Sequence, residues 1–192
     1  MTIRHPARPL EPEPPRGAPL ELGEVYEVHF DFVWRSLRRL GVPQSQLEDA
    51  AHDVFLVAHR RLAEFEGRSS LKTWLFAIAL RVAQNLRRSL SKGGGELLDE
   101  QVPTDAGDAP DEQAARSRAV QLGVRLLAEL DAEKRAVFVL AELEQLPASE
   151  IAEALGLPLF TVYSRLRAAR RAFNAAVARE QARGAWRGRW TS

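Results

Sequence analysis

The sequence predicts an all-α protein: two small helical domains joined by a flexible acidic linker, the second domain containing a helix-turn-helix. Three observations lead there. Apolar residues recur at three- and four-residue steps over two separate stretches. Between those stretches the pattern is broken by glycine, proline and acidic residues. Finally, Leu146 to Phe173 reads as a short helix, a tight turn containing Gly156, and a second helix loaded with arginine.

Residues 1–20 hold six of the eleven prolines and are expected to form a disordered or polyproline-like tail. From residue 21 to 90 three helices follow. Leu22, Tyr26, Phe30, Val33, Leu37 and Leu40 make one apolar stripe, which Gly41 and Pro43 stop. Leu47, Ala51, Val54, Ala58 and Leu62 make a second stripe, ending near Gly67. Ser70 is placed to cap a third helix, with Leu71, Trp74, Leu75, Ile78, Val82 and Leu86 along its inner side. Three such helices can close a small bundle.

Residues 91–115 carry Gly93-Gly94-Gly95, Pro103, Pro110 and seven acids against Lys92, with no apolar period, and read as an acidic flexible linker. A second helical block runs from 116 to 180, with Leu122, Leu126, Leu130, Val137 and Leu140 ahead of the helix-turn-helix. Residues 181–192 remain as a basic C-terminal tail ending in Trp186-Arg-Gly-Arg-Trp190, read as flexible or as an extra contact to DNA or protein.

At 192 residues the chain has room for one large or two small domains, each with a modest core. Its formal net charge of +1 conceals a strong polarity. Phe160 to Ser192 holds eight arginines against Glu180, whereas Glu129 to Glu153 holds seven acids against Lys134 and Arg135. Such a distribution fits a localised polyanion-binding face. The absence of cysteine excludes disulfide scaffolding, thiol redox sensing and Cys-based zinc sites. His52 and His59 have no neighbours at metal-ligand spacing. No Gly-rich phosphate loop or nucleophile–base pattern points to an enzyme or a cofactor. No apolar run is long enough to span a bilayer, and the N-terminus lacks an apolar export core, so a cytoplasmic protein without membrane insertion is expected.

Within the helix-turn-helix, Ile151, Ala152 and Leu155 suit the inner face of the first helix, and Gly156 suits the left-handed residue that ends it. Pro158 is expected in the first turn of the next helix. On that helix Val162, Leu166, Ala169 and Phe173 fall on one side. Phe160, Tyr163, Ser164, Arg167, Arg171 and Asn174 fall on the other, with Thr161 beside them and Arg165 and Arg170 toward the flanks. Arginines so placed can grip phosphates or fork onto guanine edges. An arginine-rich amphipathic helix alone is better read as a solvated surface; joined to the Ile-Ala-x-x-Leu-Gly turn, it reads as a DNA-binding element.

Leu47-Glu-Asp-Ala-Ala-His-Asp-Val-Phe-Leu-Val-Ala-His-Arg-Arg-Leu62, followed by Phe65-Glu-Gly-Arg-Ser-Ser-Leu-Lys-Thr-Trp-Leu-Phe-Ala-Ile-Ala-Leu-Arg81, resembles region 2 of the extracytoplasmic-function (ECF) group of bacterial RNA polymerase sigma factors, within the sigma-70 family. The helix-turn-helix block resembles region 4 of the same family. The resemblance spans residues 22–180, in the family's order, and is specific because the two patterns occur together.

The resemblance implies an alternative sigma factor that binds core RNA polymerase, through the β′ clamp helices and the β flap, and recognises promoter DNA at its −35 and −10 elements. Glu48, Asp49, His52, Asp53 and Leu56 would form the polymerase-binding face; an acidic face with one exposed leucine repels DNA and suits a protein. Phe65, Gly67, Arg68, Ser69 and Ser70 would capture a base flipped from the melted −10 strand, for which an apolar wall, polar edges and close backbone approach are needed. Lys72, Thr73, Arg81, Asn85 and Arg88 would face the adjoining duplex. Trp74 stays open between core and strand-facing edge. Thr161, Tyr163, Ser164, Arg165, Arg167, Arg170 and Arg171 would contact the −35 element. An anti-sigma factor is a further implied partner.

In the family the acidic linker passes through the polymerase active-site channel. A relaxed 25-residue chain spans about 28 Å, while the two promoter elements lie roughly two duplex turns of about 34 Å apart. The isolated chain is therefore expected to bind promoters weakly. The chain departs from the family at Pro147, where a serine-like cap is usual, at Phe160 and Tyr163, where small or basic residues are common, and at Arg81, where many relatives carry asparagine. The rival reading is a stand-alone helix-turn-helix regulator acting without polymerase; a helical adaptor for an acidic protein is a third.

Overall fold

In the computed structural model, residues 21–67, 69–92 and 111–188 are described, with side chains left aside at 91, 92, 111–114, 116 and 184–188. Among these residues every regular element is helical. They are α1 (Leu22–Arg39), α2 (Leu47–Arg61), α3 (Leu71–Lys92), α4 (Asp111–Ala128), α5 (Ala132–Phe138), α6 (Ala148–Leu155) and α7 (Leu159–Gly188). The all-α class is thus as expected.

Helices α1, α2 and α3 pack against one another as a three-helix bundle. The buried face of α1 is Val25, His29, Phe32, Val33, Ser36 and Leu37; Val33, Leu37 and Leu40 of the expected stripe are buried, and only its first half is displaced. Tyr26 and Phe30 instead form an aromatic flank over Phe55, with ring centroids 4.7 and 6.3 Å away. Aromatic side chains register as apolar in a periodicity count, yet here two of them cover the rim while small Ser36 is fully buried. On α2 the expected Leu47, Ala51, Val54 and Ala58 are buried, joined by Ala50 and Phe55. That helix ends at Arg61, short of Gly67, and a single tight 3-10 turn, Leu62–Glu64, leads into the loop.

In the second block α5 and α7 make the main contact, with α6 laid across α7. Helix α4 begins at Asp111, inside the stretch read as linker, and α7 continues to Gly188, beyond the expected boundary at 180. Its 30 residues make a rod of about 45 Å at about 1.5 Å per residue. The Asp131 carboxylate accepts from the Lys134 N–H at 2.8 Å and caps α5. Between α5 and α6 the chain widens into one π-helical turn, Val139–Leu143, and then takes φ +57° at Gln145.

The two blocks are packed on each other, α3 against α6 and α1 against α4, so their apolar cores run together. The seam is also polar. Arg135, almost fully buried on α5, donates to the Leu40 carbonyl at the end of α1 (2.8 Å) and to the Ala128 and Leu130 carbonyls (2.9 Å each). Three carbonyls around one guanidinium satisfy the dangling ends of two helices at once. Burial pushes the Arg135 guanidinium down to about 10, with the charge of Arg87 adding to the effect and Asp131 opposing it, so it stays protonated at neutral pH. Gly41 makes room for it: the residue sits at φ +89°, and a Cβ there would lie 2.2 Å from Arg135 Nη1. Arg39 and Glu144 form an ion pair across the same seam.

Candidate nucleic-acid and polymerase interfaces

The helix-turn-helix is formed by α6 and α7. Pro147 stands at the N-cap of α6 without a side-chain bond, so that cap is open as the sequence indicated. Gly156 takes φ 62°, ψ 38° and ends the helix in the left-handed conformation. Pro158 lies one residue before α7 rather than within its first turn; its carbonyl accepts from the Thr161 and Val162 N–H groups at 2.9 and 3.2 Å. It serves the helix as an acceptor, a role that its missing N–H does not disturb. Val162, Leu166 and Ala169 are buried and hold α7 to the domain, and the Phe173 ring meets Phe138 at 4.7 Å.

The opposite face of α7 leaves Phe160, Tyr163, Ser164, Arg167, Arg170 and Arg171 exposed, with Thr161 and Arg165 half-buried. The four arginines are not equivalent. Arg165 pairs with Glu133 at 2.6 Å and Arg170 with Glu142 at 2.6 Å, so both are turned toward the domain's own acidic surface. No ion pair among the described residues involves Arg167 or Arg171, and these two present free cations outward. Arg179, further along, pairs with Glu129.

In the first block the loop before α3 brings Phe65 and Trp74 together, ring centroids 5.3 Å apart at 55°. Both are half-buried. Trp74 packs partly against the core, and its half-exposed ring lies beside that of Phe65. Gly67 takes φ +66° with nothing within 4 Å of a Cβ position, so its backbone is openly accessible. Ser70 caps α3: its Oγ accepts from the Thr73 N–H at 3.1 Å and lies 2.8 Å from Thr73 Oγ1. Arg68 lies outside the described residues.

Thr73 corrects the sequence reading. It was placed outward on α3, but its side chain is fully buried and its hydroxyl bonded to Ser70. The residue three after the cap lies over the capping serine, so a hydroxyl there can turn back to meet it. Ser69 and Lys72 are half-buried, while Arg81, Asn85 and Arg88 are exposed. On α2, Glu48, Asp49, His52, Asp53 and Leu56 share one exposed face, Leu56 at 40 % exposure. Phe160, placed by the sequence on the outward side of α7 but not among the expected contact residues, is the most exposed large apolar side chain among the described residues. One further residue escaped the sequence reading. Arg135 carried no local signal, since its three partners belong to other elements.

A three-helix module followed by a helix-turn-helix module, with an acidic face on the first and a basic one on the second, defines a two-module transcription factor. Comparison with known proteins places it more closely. Residues 25–93 match the model of sigma-70 region 2 and residues 124–173 that of sigma-70 region 4. The chain is 30% identical over 149 residues to the RNA polymerase sigma factor YlaC of Bacillus subtilis, covering 77% of this chain and 86% of that protein. It is 27% identical over 160 residues to the RNA polymerase sigma factor NccH of Alcaligenes xylosoxydans xylosoxydans, covering 81% and 86%. Its fold is similar to that of the sigma factor RpoE in complex with the anti-sigma factor NepR from Bartonella quintana, at a TM-score of 0.62 and 20% identity, over 81% of this chain and 96% of that one. It is also 30% identical over 144 residues to the ECF RNA polymerase sigma-E factor of Escherichia coli, covering 69% of this chain and 74% of that protein. The chain belongs to the sigma-70 family of RNA polymerase sigma factors, in its ECF group.

No helix among the described residues is long and apolar enough to cross a membrane.

Proposed function

We propose that this chain is a non-catalytic, cytoplasmic initiation subunit that directs core RNA polymerase to a dedicated set of promoters. The outer face of α2, Glu48, Asp49, His52, Asp53 and Leu56, docks on the polymerase β′ clamp helices, and the second block docks on the β flap. The Phe65–Trp74 wall, with open Gly67 and Ser69 beside it, receives an unstacked base of the melted −10 strand. Lys72, Arg81, Asn85 and Arg88 follow the neighbouring backbone. On α7, Tyr163, Ser164, Arg167 and Arg171 meet the −35 element, with Thr161 at the start of the helix; Arg165 and Arg170 can join only by leaving Glu133 and Glu142.

The observation that carries this reading is the division of charge: an acidic, leucine-bearing face on one module and outward, unpaired Arg167 and Arg171 on the other. One surface suits a protein and the other suits phosphate. The packed arrangement of the two blocks adds a condition. Elements roughly two turns, or about 68 Å, apart call for the α3–α6 seam to open, which supports polymerase as the surface on which the modules separate. An anti-sigma factor is a natural antagonist, since RpoE, of similar fold, is found in complex with the anti-sigma factor NepR.

Footprinting separates this from a stand-alone regulator. With core polymerase the chain should protect two patches about two turns apart; alone, at the same concentration, it should protect neither. Equal protection without polymerase overturns the reading.

A further inference from the structure

The start of α7 gathers three of the exposed large hydrophobic side chains of the described residues. Leu159, Phe160 and Tyr163 are 45%, 82% and 58% exposed. The fold does not need them: α7 is held by Val162, Leu166 and Ala169 on its other side. Phe160, Tyr163 and Arg167 recur at steps of three and four and therefore share a face. That face has a gradient. At its leading end stand two aromatic rings; the free cations begin one turn later with Arg167 and continue at Arg171. The other two arginines are drawn sideways onto Glu133 and Glu142.

In a helix-turn-helix the leading residues of the second helix reach the base edges, and later ones meet the backbone. Reading guanine requires a forked cation at that leading end, and none is free there. The one apolar group that a base pair offers in the major groove is the thymine 5-methyl. Charge complementarity fixes the occupant as well: an apolar tip followed by two unpaired arginines fits a methyl-bearing duplex edge flanked by phosphates. We propose that Phe160, flanked by Tyr163, reads thymine methyl groups in the upstream promoter element, while Arg167 and Arg171 hold its phosphates. This deepens, and rests on, the assignment of α7 as the −35 reader.

The test uses the full chain with core polymerase. A pool of promoters randomised in the upstream element is selected by initiation, and each selected thymine is then replaced singly by deoxyuridine, which removes only the methyl. Burial of one methyl corresponds to about a fourfold change in affinity. At least one replacement should weaken holoenzyme binding by about that factor. Phe160→Ala, at an exposed position where folding is unaffected, should weaken binding to the thymine template and bind thymine and deoxyuridine templates equally. Arg167→Ala should weaken both templates by the same factor. Indifference of the unmodified protein to every replacement overturns the proposal. So does a Phe160→Ala chain that still discriminates the two templates, or one whose loss lies in polymerase affinity, which would make Phe160 a protein contact. Failure to initiate from any member of the pool is a different result: it refutes the promoter-reading assignment itself.

Discussion

Replacing Gly41 by alanine tests whether the two blocks are held together through Arg135. The backbone at Gly41 lies at φ +89°, and a Cβ would stand 2.2 Å from Arg135 Nη1, the atom that donates to the Leu40 carbonyl. Two costs follow. A non-glycine residue in a left-handed conformation costs about 1–2 kcal/mol. Displacing the guanidinium forfeits a charge-assisted hydrogen bond of about 1.5–3 kcal/mol. The sum is about 2.5–5 kcal/mol, a large share of the 5–15 kcal/mol typical of a folded chain. Gly156→Ala is the internal control, since Gly156 has a similar φ of +62° but nothing within 4 Å of its Cβ position; it should lose only the backbone part. Urea unfolding followed by circular dichroism gives both values. In a double-mutant cycle with Arg135→Met, Gly41→Ala should show a coupling of about 1.5–3 kcal/mol, because the bond can be lost only once. Additive effects, or a Gly41→Ala loss no larger than that of Gly156→Ala, would refute the idea that Arg135 joins the blocks.

Three further outcomes are expected. Reversing charge at Asp49 and Asp53 to lysine should abolish co-migration with core polymerase in gel filtration while leaving the helical spectrum unchanged, since both side chains are exposed. Arg167→Ala with Arg171→Ala should reduce the slope of log affinity against log salt, for holoenzyme on promoter, by about 1.8, at about 0.9 per lost phosphate contact; Arg165→Ala should change it less, because that side chain is held by Glu133. Burial raises the Asp131 carboxyl, but the bonds from the Lys134 ammonium (2.6 Å) and backbone N–H (2.8 Å) outweigh it and hold the group below its ordinary value. A depressed folded value means the stabilisation is present above the unfolded value of about 4 and is lost as pH falls through the folded one. Asp131→Ala should therefore cost about 1 kcal/mol at neutral pH and flatten the acid limb of the stability profile.

What could be read from the sequence was local. Ser70 as a cap, Gly156 as a left-handed stop and the Val162–Leu166–Ala169 stripe are each set by a few neighbouring residues, and all three stand in the structure. The C-terminal half of the α1 stripe, Val33, Leu37 and Leu40, is buried as expected; its N-terminal half was misplaced because Tyr26 and Phe30 count as apolar whether they enter the core or cover its rim. Thr73 was misassigned because it was grouped with the polar outward residues of α3, and its polarity does not reveal that its hydroxyl lies buried against Ser70. The start of α4 at Asp111 was hidden by acids, which suit a helix N-terminus as well as a linker. The Arg135–Leu40 contact spans 95 residues in sequence, and no periodicity reports a partner at that distance. Which arginines of α7 are free was equally invisible, since Glu133 and Glu142 belong to another part of the block.

Run-off transcription reaches the central claim most directly. Purified core polymerase is mixed with a linear template carrying a promoter it does not use unaided, with and without the full chain. Transcripts of one defined length should arise only when the chain is present, and should vanish with the Asp49 and Asp53 reversals. The same transcripts without the chain, or none with it on any template bearing its selected sites, would contradict the account.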